Sequence, residues 1–584
     1  PHTVPHPHGG EPKIVKSKSR ILLAFSLVAA SSAAGLRQPT HAAQFGERPN
    51  ILVIVTDDQR GLDTMEWMPK TVGWFGAEGT RFPNAYATTP ICCPSRATIF
   101  SGRFVHNHGV RKNTQAPNLD QTTTVQRYLD QAGYRTAMAG KFLNFWPIEN
   151  APPYFDQYYM LEPRGDTYYG NTFNQNGVVG PVADYSTDVI RDRAKTLIET
   201  DFDGDDDDPW FLYVAPFAPH APAEPAERHE DADVGKWNGN PAVFETNKRD
   251  KPDFIRRAFH TLEEARGIRT SQLRSLLAVD ELVDEVFQTL EAEGEENTLA
   301  LFLSDNGFFW AEHGLTTKNQ AYPASVLIPL FARWPGHIPA GRSDGRLVGN
   351  LDVAPTIMEA AGLTPDPAIP MDGQSVLGPH QRTMMLAEAW TSGSRGPYAS
   401  TITQAYQFIE YYTNDGRRVK YREYYDMVRD PWQLRNLLGD RKQRNDPYVG
   451  ALHAQLAPAR VCRGHTGPVG CSAALTQIPI PRLCPSRQKV RGRHLVGSTG
   501  RDAIPGGRGR DVACAREGKD RVRGARKNDM LIGGPGRDVL VGGPGNDVLL
   551  GQSGRDLCTG GPGRDRYRGC EVRREPGRGR AKGR

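Results

Sequence analysis

No apolar run in this chain reaches the roughly 20 residues that a membrane-spanning helix needs. The candidate, ILLAFSLVAASSAAG (21–35), falls short, and it follows Lys13, Lys16, Lys18 and Arg20 and precedes the small residues Ala42 and Ala43. That order is the pattern of a secretory leader, so the expectation is a soluble, secreted protein without a transmembrane anchor, with residues 1–43 as signal peptide and leader. The first residue is Pro1 rather than Met, which leaves the true start open. Cysteine is scarce as well, with only Cys92 and Cys93 in the first 460 residues; six more follow, and six cysteines allow fifteen pairings. Net charge is nearly lacking, at +5, but it is unevenly placed: residues 481–584 hold 25 Lys and Arg against 11 Asp and Glu. The basic end suggests association with anionic surface polymers. No nucleic-acid recognition module accompanies it, and an exported chain is not expected to meet nucleic acid.

At 584 residues the chain exceeds one domain of ~150 residues. NILVIVTDD (50–58), WFLYVAPF (210–217), TLALFLSDNG (298–307) and VLIPLFARW (326–334) are apolar runs of the kind buried on both faces of a sheet. Helical periodicity lies between them, at 122–133, 187–200 and 270–294. Alternation of this kind predicts an α/β fold, a mainly parallel sheet sandwiched by helices, with ligands at the carboxyl ends of strands. Aromatic and β-branched residues cluster around an Asn-Asp-Gly turn between about 385 and 440, which predicts a smaller antiparallel subdomain. The expected division is 44–380 for the catalytic α/β domain, 381–460 for the smaller subdomain, 461–496 for a Pro/Arg-rich linker, 497–568 for repeats and 569–584 for a basic tail.

From Gly497 the chain reads in nines, with aspartate at every sixth position: Asp502, Asp511, Asp520, Asp529, Asp538, Asp547, Asp556 and Asp565. The pattern resembles the glycine-aspartate nonapeptide of calcium-binding parallel β-rolls. The resemblance implies calcium at Asp529, Asp538, Asp547, Asp556 and Asp565. The first three nonapeptides lack leucine at position eight, so the early coils are expected to be frayed, and the arginines beside the aspartates are expected to pair with them and weaken calcium.

Asp57-Asp58 and Asp305-Asn306 end two of the buried runs. Adjacent carboxylates there repel one another, and a hard divalent cation relieves this; oxygen-only ligands favour calcium, with magnesium second. The same pairs also suit a turn or a helix cap. NILVIVTDDQ, CCPSRATIFSGR (92–103), GKFLN (140–144), APHAP (218–222) and SDNGFFWAEHGLTTK (304–318) together resemble, in order, the landmarks of type I sulfatases of the alkaline phosphatase superfamily. Within that family they look closest to N-acetylglucosamine-6-sulfatases and their glycosaminoglycan-directed relatives. The resemblance implies that Cys92, first in Cys-x-Pro-Ser-Arg, is oxidised by a formylglycine-generating maturase to an aldehyde whose hydrate attacks sulfur. It implies a cation on Asp57, Asp58, residue 92, Asp305 and Asn306. It also implies that Arg96 holds the nucleophile, Lys141 and Lys318 bind sulfate oxygens, and His220 protonates the leaving oxygen of a sulfated sugar or aryl sulfate.

Alternatives stay open at this point. A formylglycine-dependent arylsulfatase, a phosphodiester or phosphonate hydrolase, and a catalytically silent exported binding protein all fit the same motifs. His106, His108 and His313 are weaker candidates for substrate-side groups. A second Cys-Pro-Ser-Arg at 484–487 lacks the intervening residue and reads as coincidence, and the acidic run at 201–209 reads as a solvated loop. Close relatives carry an acidic residue after the second active-site lysine where this chain has NQAYPASVLIPL, so the substrate rim is expected to differ.

Overall fold

The structure, a computed structural model, describes residues 47–162, 167–202, 208–379, 382–391, 396–442, 446–447, 449–466, 470–476, 494–497, 501–515, 518–534, 536–551, 555–568, 570 and 572–574. The leader, most of the acidic run, the second Cys-Pro-Ser-Arg and most of the basic tail lie outside these residues.

Apolar runs become central strands because both faces of the sheet are covered. β1 (Asn50–Thr56), β2 (Arg135–Gly140), β3 (Trp210–Ala215), β4 (Thr298–Ser304) and β5 (Leu330–Arg333) belong to a ten-stranded sheet. Its order is 342–343, 80–81, β5, β4, β1, β3, β2, 157–161, 171–175, 178–182. The pairs β4–β1, β1–β3 and β3–β2 are parallel, whereas β5 runs antiparallel to β4. Ile51, Val53 and Val55 face one core and Leu52 and Ile54 the other, so residues alternate between two buried layers. β2, RTAMAG, and the hairpin beyond it carry too few large apolar residues to have been legible as strands.

Helices α1 (Cys92–Ser101), α2 (Val125–Gln131), α3 (Ser186–Thr196) and α4 (Leu262–Ala292) cover the sheet. α4 starts eight residues before the expected 270, because its polar first turns hide the periodicity. Thr261 and Glu264 form a capping box there, Glu264 N–H donating to Thr261 Oγ1 at 3.3 Å and Thr261 N–H to Glu264 Oε2 at 2.7 Å.

The smaller sheet is antiparallel, with strands Met385–Ala389, Tyr398–Ile402, Tyr406–Tyr412 and Val419–Asp426. Leu452, Leu456 and Ala459 of the helix Val449–Ala459 pack on it. The expected linker does not begin at 461. Cys462, Cys471 and Leu475 are buried in the same core, a Cys462–Cys471 disulfide closes the segment, and Met384 N–H donates to Leu475 O at 3.1 Å. Two cysteines and a leucine in a polar, Pro/Gly-rich context were too sparse a signal for a core.

The nonapeptides form a two-sided parallel roll. Odd and even turns contribute to separate five-stranded sheets, and the stack runs from His494–Val496 to Val572–Arg574, past both ends of 497–568. The early coils are built like the later ones. Ile504, Ala513, Val522, Leu531, Leu540, Leu549 and Cys558, all at position eight, make one buried column, because a narrow coil accepts any apolar side chain there, alanine included. Cys558 is bonded to Cys570, and Cys514 is also disulfide-bonded. Arg510, Arg537, Arg555 and Arg564, expected to pair with the aspartates beside them, are exposed while the adjoining position-six aspartates turn inward, successive residues of an extended chain facing opposite ways.

Candidate active site

Three sheet strands and one helix deliver side chains to a single point. β1 and β4 pair with Thr56 opposite Ser304, so the residues that follow, Asp57-Asp58 and Asp305-Asn306, leave the sheet side by side and buried. β2 ends at Gly140, and the next residue, Lys141, turns its amine onto Asp57 Oδ2. Gly140 has φ +111°, and a Cβ there would lie 2.1 Å from the carbonyl oxygen of Ala215, so only glycine permits the approach that places Lys141. The CCPSR stretch is the first turn of α1, with Cys92 at its start.

Arg96 is fully buried and ties the elements together. Its Nε donates to Asp305 Oδ2 at 2.9 Å, one Nη donates to Lys141 O at 2.9 Å and to Tyr213 Oη at 3.2 Å, and the other lies 3.4 Å from Asp57 Oδ2. Cys92 Sγ is 3.5 Å from Asp57 Oδ1 and 2.7 Å from the amine of Lys318, which also bonds Asp58 Oδ1. His220 stands at the rim with its side chain 25% exposed; Nδ1–H donates to Ala221 O at 2.7 Å and Nε2 lies 3.7 Å from Asp58 Oδ2. All nine residues expected at the site from the motifs therefore converge.

Ligand atoms of Asp57, Asp58, Cys92 and Asp305 lie within 4.8 Å of one another. Asn306 Nδ2 donates to Asp58 Oδ1 at 2.6 Å, and Asn306 Oδ1 is buried with no hydrogen-bond partner among the described residues. Leaving aside the Cys92 sulfur, the three carboxylates and the spare buried amide oxygen of Asn306 form an oxygen set that fits a hard divalent cation. The electrostatics agree. Burial opposes its charge, yet Lys141, His220, Arg96 and Lys318 hold the Asp57 carboxyl well below the usual range. Burial and the Asp57 charge push Asp305 up, so the two carboxyls are driven apart as neighbouring like charges are. Burial, then Asp57, also pushes the Cys92 thiol well up, and burial pushes Cys93 to about 12. Both are thiols at neutral pH, and neither is a ready thiolate nucleophile.

Other histidines have structural partners. His108 is buried, with Nε2 3.1 Å from Thr98 Oγ1, Nδ1 accepting from Val110 N–H, and burial lowering its pKa to about 3. His106 lies between Glu388 Oε1, 2.8 Å away, and Cys462 O, 3.0 Å away. His313 is 2.6 Å from Glu245 Oε2 and lines a cavity of about 150 Å³ with Phe309, Tyr322 and Trp432. The residues that sequence reasoning passed over are Tyr213, inside an apolar run with nothing to mark it, and Ser95, whose Oγ bonds Asp305 O and accepts from Asn350 Nδ2 at 2.8 Å.

In the roll, the position-six aspartates from Asp520 to Asp565 each accept the N–H of the aspartate two repeats earlier; Asp529 Oδ1, Asp538 Oδ1 and Asp547 Oδ1 do so at 2.7–2.9 Å. The second oxygens of Asp520, Asp529, Asp538 and Asp547 are buried without a hydrogen-bond partner among the described residues. Burial raises Asp529 to about 6 and Asp538 to about 7. Such oxygens are cation-ready, which fits calcium in the repeats.

Sheet, strand-end carboxylates and clustered cations define a class: an α/β protein that gathers three carboxylates, an arginine and two lysines at the carboxyl ends of parallel strands. Residues 49–363 match the sulfatase family, and the chain belongs to it. Residues 311–461 match the C-terminal region of N-sulphoglucosamine sulphohydrolase, and 494–522, 515–549 and 532–567 match the RTX calcium-binding nonapeptide repeat. Human N-acetylglucosamine-6-sulfatase is 31% identical over 63% of this chain and 70% of its own length. The extracellular sulfatase SULF-1 homolog of Drosophila melanogaster is 30% identical over 56% of this chain, which spans only 31% of that relative. A protein solved in complex with its substrate D-glucosamine-2-N,6-O-disulfate shares the fold, with TM-score 0.58 and 24% identity over 68% of this chain and 94% of that one.

Proposed function

We propose that the protein is a secreted sulfuric ester hydrolase acting on 6-sulfated N-acetylglucosamine or related sulfated glycan ends, with Cys92 matured to formylglycine. The observation that carries the reading is the position of Cys92: a buried, protonated thiol at a helix start, ringed by three carboxylates, Arg96 and two lysines. Such a thiol serves poorly as a nucleophile and well as a precursor. Once matured and with a cation on Asp57, Asp58, Asp305 and Asn306, residue 92 supplies an oxygen nucleophile of lowered pKa.

The remaining work falls to residues of this chain. Arg96 fixes Asp305 and balances the buried carboxylates around residue 92. Lys141 and Lys318 present amines where sulfate oxygens arrive and stabilise the negative charge that grows during transfer. His220, with Nδ1 committed to Ala221 and Nε2 facing the site from its exposed rim, protonates the leaving alcohol. Export is supported by the leader-like N-terminus and by disulfides at Cys462–Cys471 and Cys558–Cys570, which persist in oxidising compartments. The maturase would act on the chain before or during that export, and the roll would hold further calcium.

Mass spectrometry of the Cys92 peptide, together with turnover of N-acetylglucosamine 6-sulfate, aryl sulfate and aryl phosphate, tests the reading. Formylglycine at 92 with sugar-sulfate turnover is expected. Faster aryl phosphate turnover would move the assignment to phosphoryl transfer, and an unmodified, inactive Cys92 protein from a maturase-competent host would end it.

A further inference from the structure

Charge in the roll is sorted by direction. Residues 497–568 contain fourteen Lys and Arg and nine Asp and Glu. Every acidic residue described there is a position-six aspartate turned into the coil, and among the described residues the exposed charges are all positive. Ordinary protein surfaces intersperse both signs.

One edge orders these cations further. The strands 503–505, 521–523, 539–541 and 557–559 stack in parallel register, Ala503 on Arg521, Arg521 on Val539 and Val539 on Leu557. Two residues before each strand start stands an exposed cation: Arg501, Lys519, Arg537 and Arg555. In-register stacking places them one strand spacing apart, about 4.8 Å, in a straight column of about 15 Å. None has an acidic partner among the described residues. At the matching positions of the opposite edge, Asn528 and Asn546 interrupt the series, and Asn546 N–H and Arg564 N–H donate to the side-chain oxygens of Asn528 and Asn546 at 2.9 and 2.8 Å. That edge is an asparagine ladder with scattered cations; the first is a continuous cationic column.

Stacked like charges repel one another and cost the free roll stability. A linear polyanion laid along the column removes the repulsion and releases its own counterions. Guanidinium groups pair with planar faces of sulfate and carboxylate oxygens through two N–H donors. We infer that the Arg501–Lys519–Arg537–Arg555 edge of the roll is a docking surface for a sulfated polysaccharide, holding the polymer whose ends the catalytic region processes. The choice of a sulfated sugar chain over other polyanions rests on the proposed function. The column has a direction, along the roll axis, so it selects extended chains over single sulfated sugars.

The test uses the full-length protein in millimolar calcium on immobilised, size-defined heparin chains, eluted with salt. The quadruple variant Arg501→Ser, Lys519→Ser, Arg537→Ser, Arg555→Ser is compared with a variant of equal charge loss on the opposite edge: Arg508→Ser, Arg510→Ser, Arg526→Ser, Arg564→Ser. The column variant is expected to bind at least about tenfold more weakly and to show a shallower salt dependence, with the opposite-edge variant close to the parent. Strand circular dichroism in calcium checks that both rolls are folded. Equal loss in both variants would overturn the inference, because net charge and not the column would then be responsible. So would retention that survives a chelator after the roll's strand signal has gone, or duplex DNA competing as well as heparin at equal charge. Aryl sulfate turnover by the parent reports on the proposed function separately: its absence would sink that reading and leave heparin retention to stand or fall by itself.

Discussion

Cys92 and Cys93 are adjacent, equally buried and both protonated, yet only Cys92 faces the carboxylates and Lys318. Cys92→Ala is therefore expected to lower sulfate-ester turnover by about 10⁴-fold or more, as loss of a catalytic nucleophile does, whereas Cys93→Ala should cost less than about tenfold. Initial rates with and without co-expressed maturase are the measurement. His106 supports a second prediction at this scale. Burial opposes its charge, but Glu388 outweighs burial and raises the imidazole to about 9 from an ordinary value near 6.5. Both ring nitrogens face acceptors, Glu388 and Cys462 O, as an imidazolium requires. A folded-state pKa raised in this way contributes stability below about 6.5 that is lost as pH rises through about 9. Urea midpoints should fall across that window, and His106→Gln should flatten the fall while lowering the midpoint at pH 6.

At the level of elements, the strand-end geometry depends on parallel register and the roll depends on its position-eight column. Leu540 is fully buried between Val522 and Cys558, the stacked residues of the neighbouring coils. Leu540→Ala leaves a cavity worth about 2–5 kcal/mol. In a module with so little other apolar surface, that should expose the roll to protease at calcium concentrations where the parent resists. Limited proteolysis across a calcium titration reads it, and a parent and variant cut alike at every calcium concentration would contradict the column's role. Leu531 and Leu549, in the same column, should behave similarly.

For the whole molecule, the question is where the catalytic part ends. Met384 N–H bonds Leu475 O, His106 bonds Cys462 O, and Gly464 N–H donates to Asp372 Oδ1 at 2.6 Å. A chain ending at Arg460 removes these contacts with the Cys462–Cys471 disulfide and should be recovered poorly or aggregated. A chain ending at Thr476 retains them and should keep most of the parent's turnover on a small aryl sulfate. Soluble yield and specific activity of the two truncations decide it; equal behaviour would mean that 461–476 contributes nothing to the fold.

Much of this protein was readable before any coordinates. The four apolar runs held strands because continuous apolar stretches of that length suit a sheet covered on both faces, and the nonapeptide spacing carried its own three-dimensional repeat. Asp57 and Asp305 could be named from the ends of the apolar runs, and Cys92, Arg96, Lys141, His220 and Lys318 from the resemblance of the spaced motifs to the sulfatase family. What sequence could not supply was anything set by partners distant in the chain. Tyr213 became a site residue only because β3 lies beside β2 and Arg96 crosses beneath them. Residues 461–476 joined a core assembled from a sheet that begins some eighty residues earlier. The early coils, weak by their own composition, are completed by neighbours eighteen residues away. The sequence by itself determined the elements and the chemistry they carry, because both depend on local pattern. Tertiary structure alone decided which side chains meet, because register and packing bring together groups whose separation along the chain holds no signal of contact.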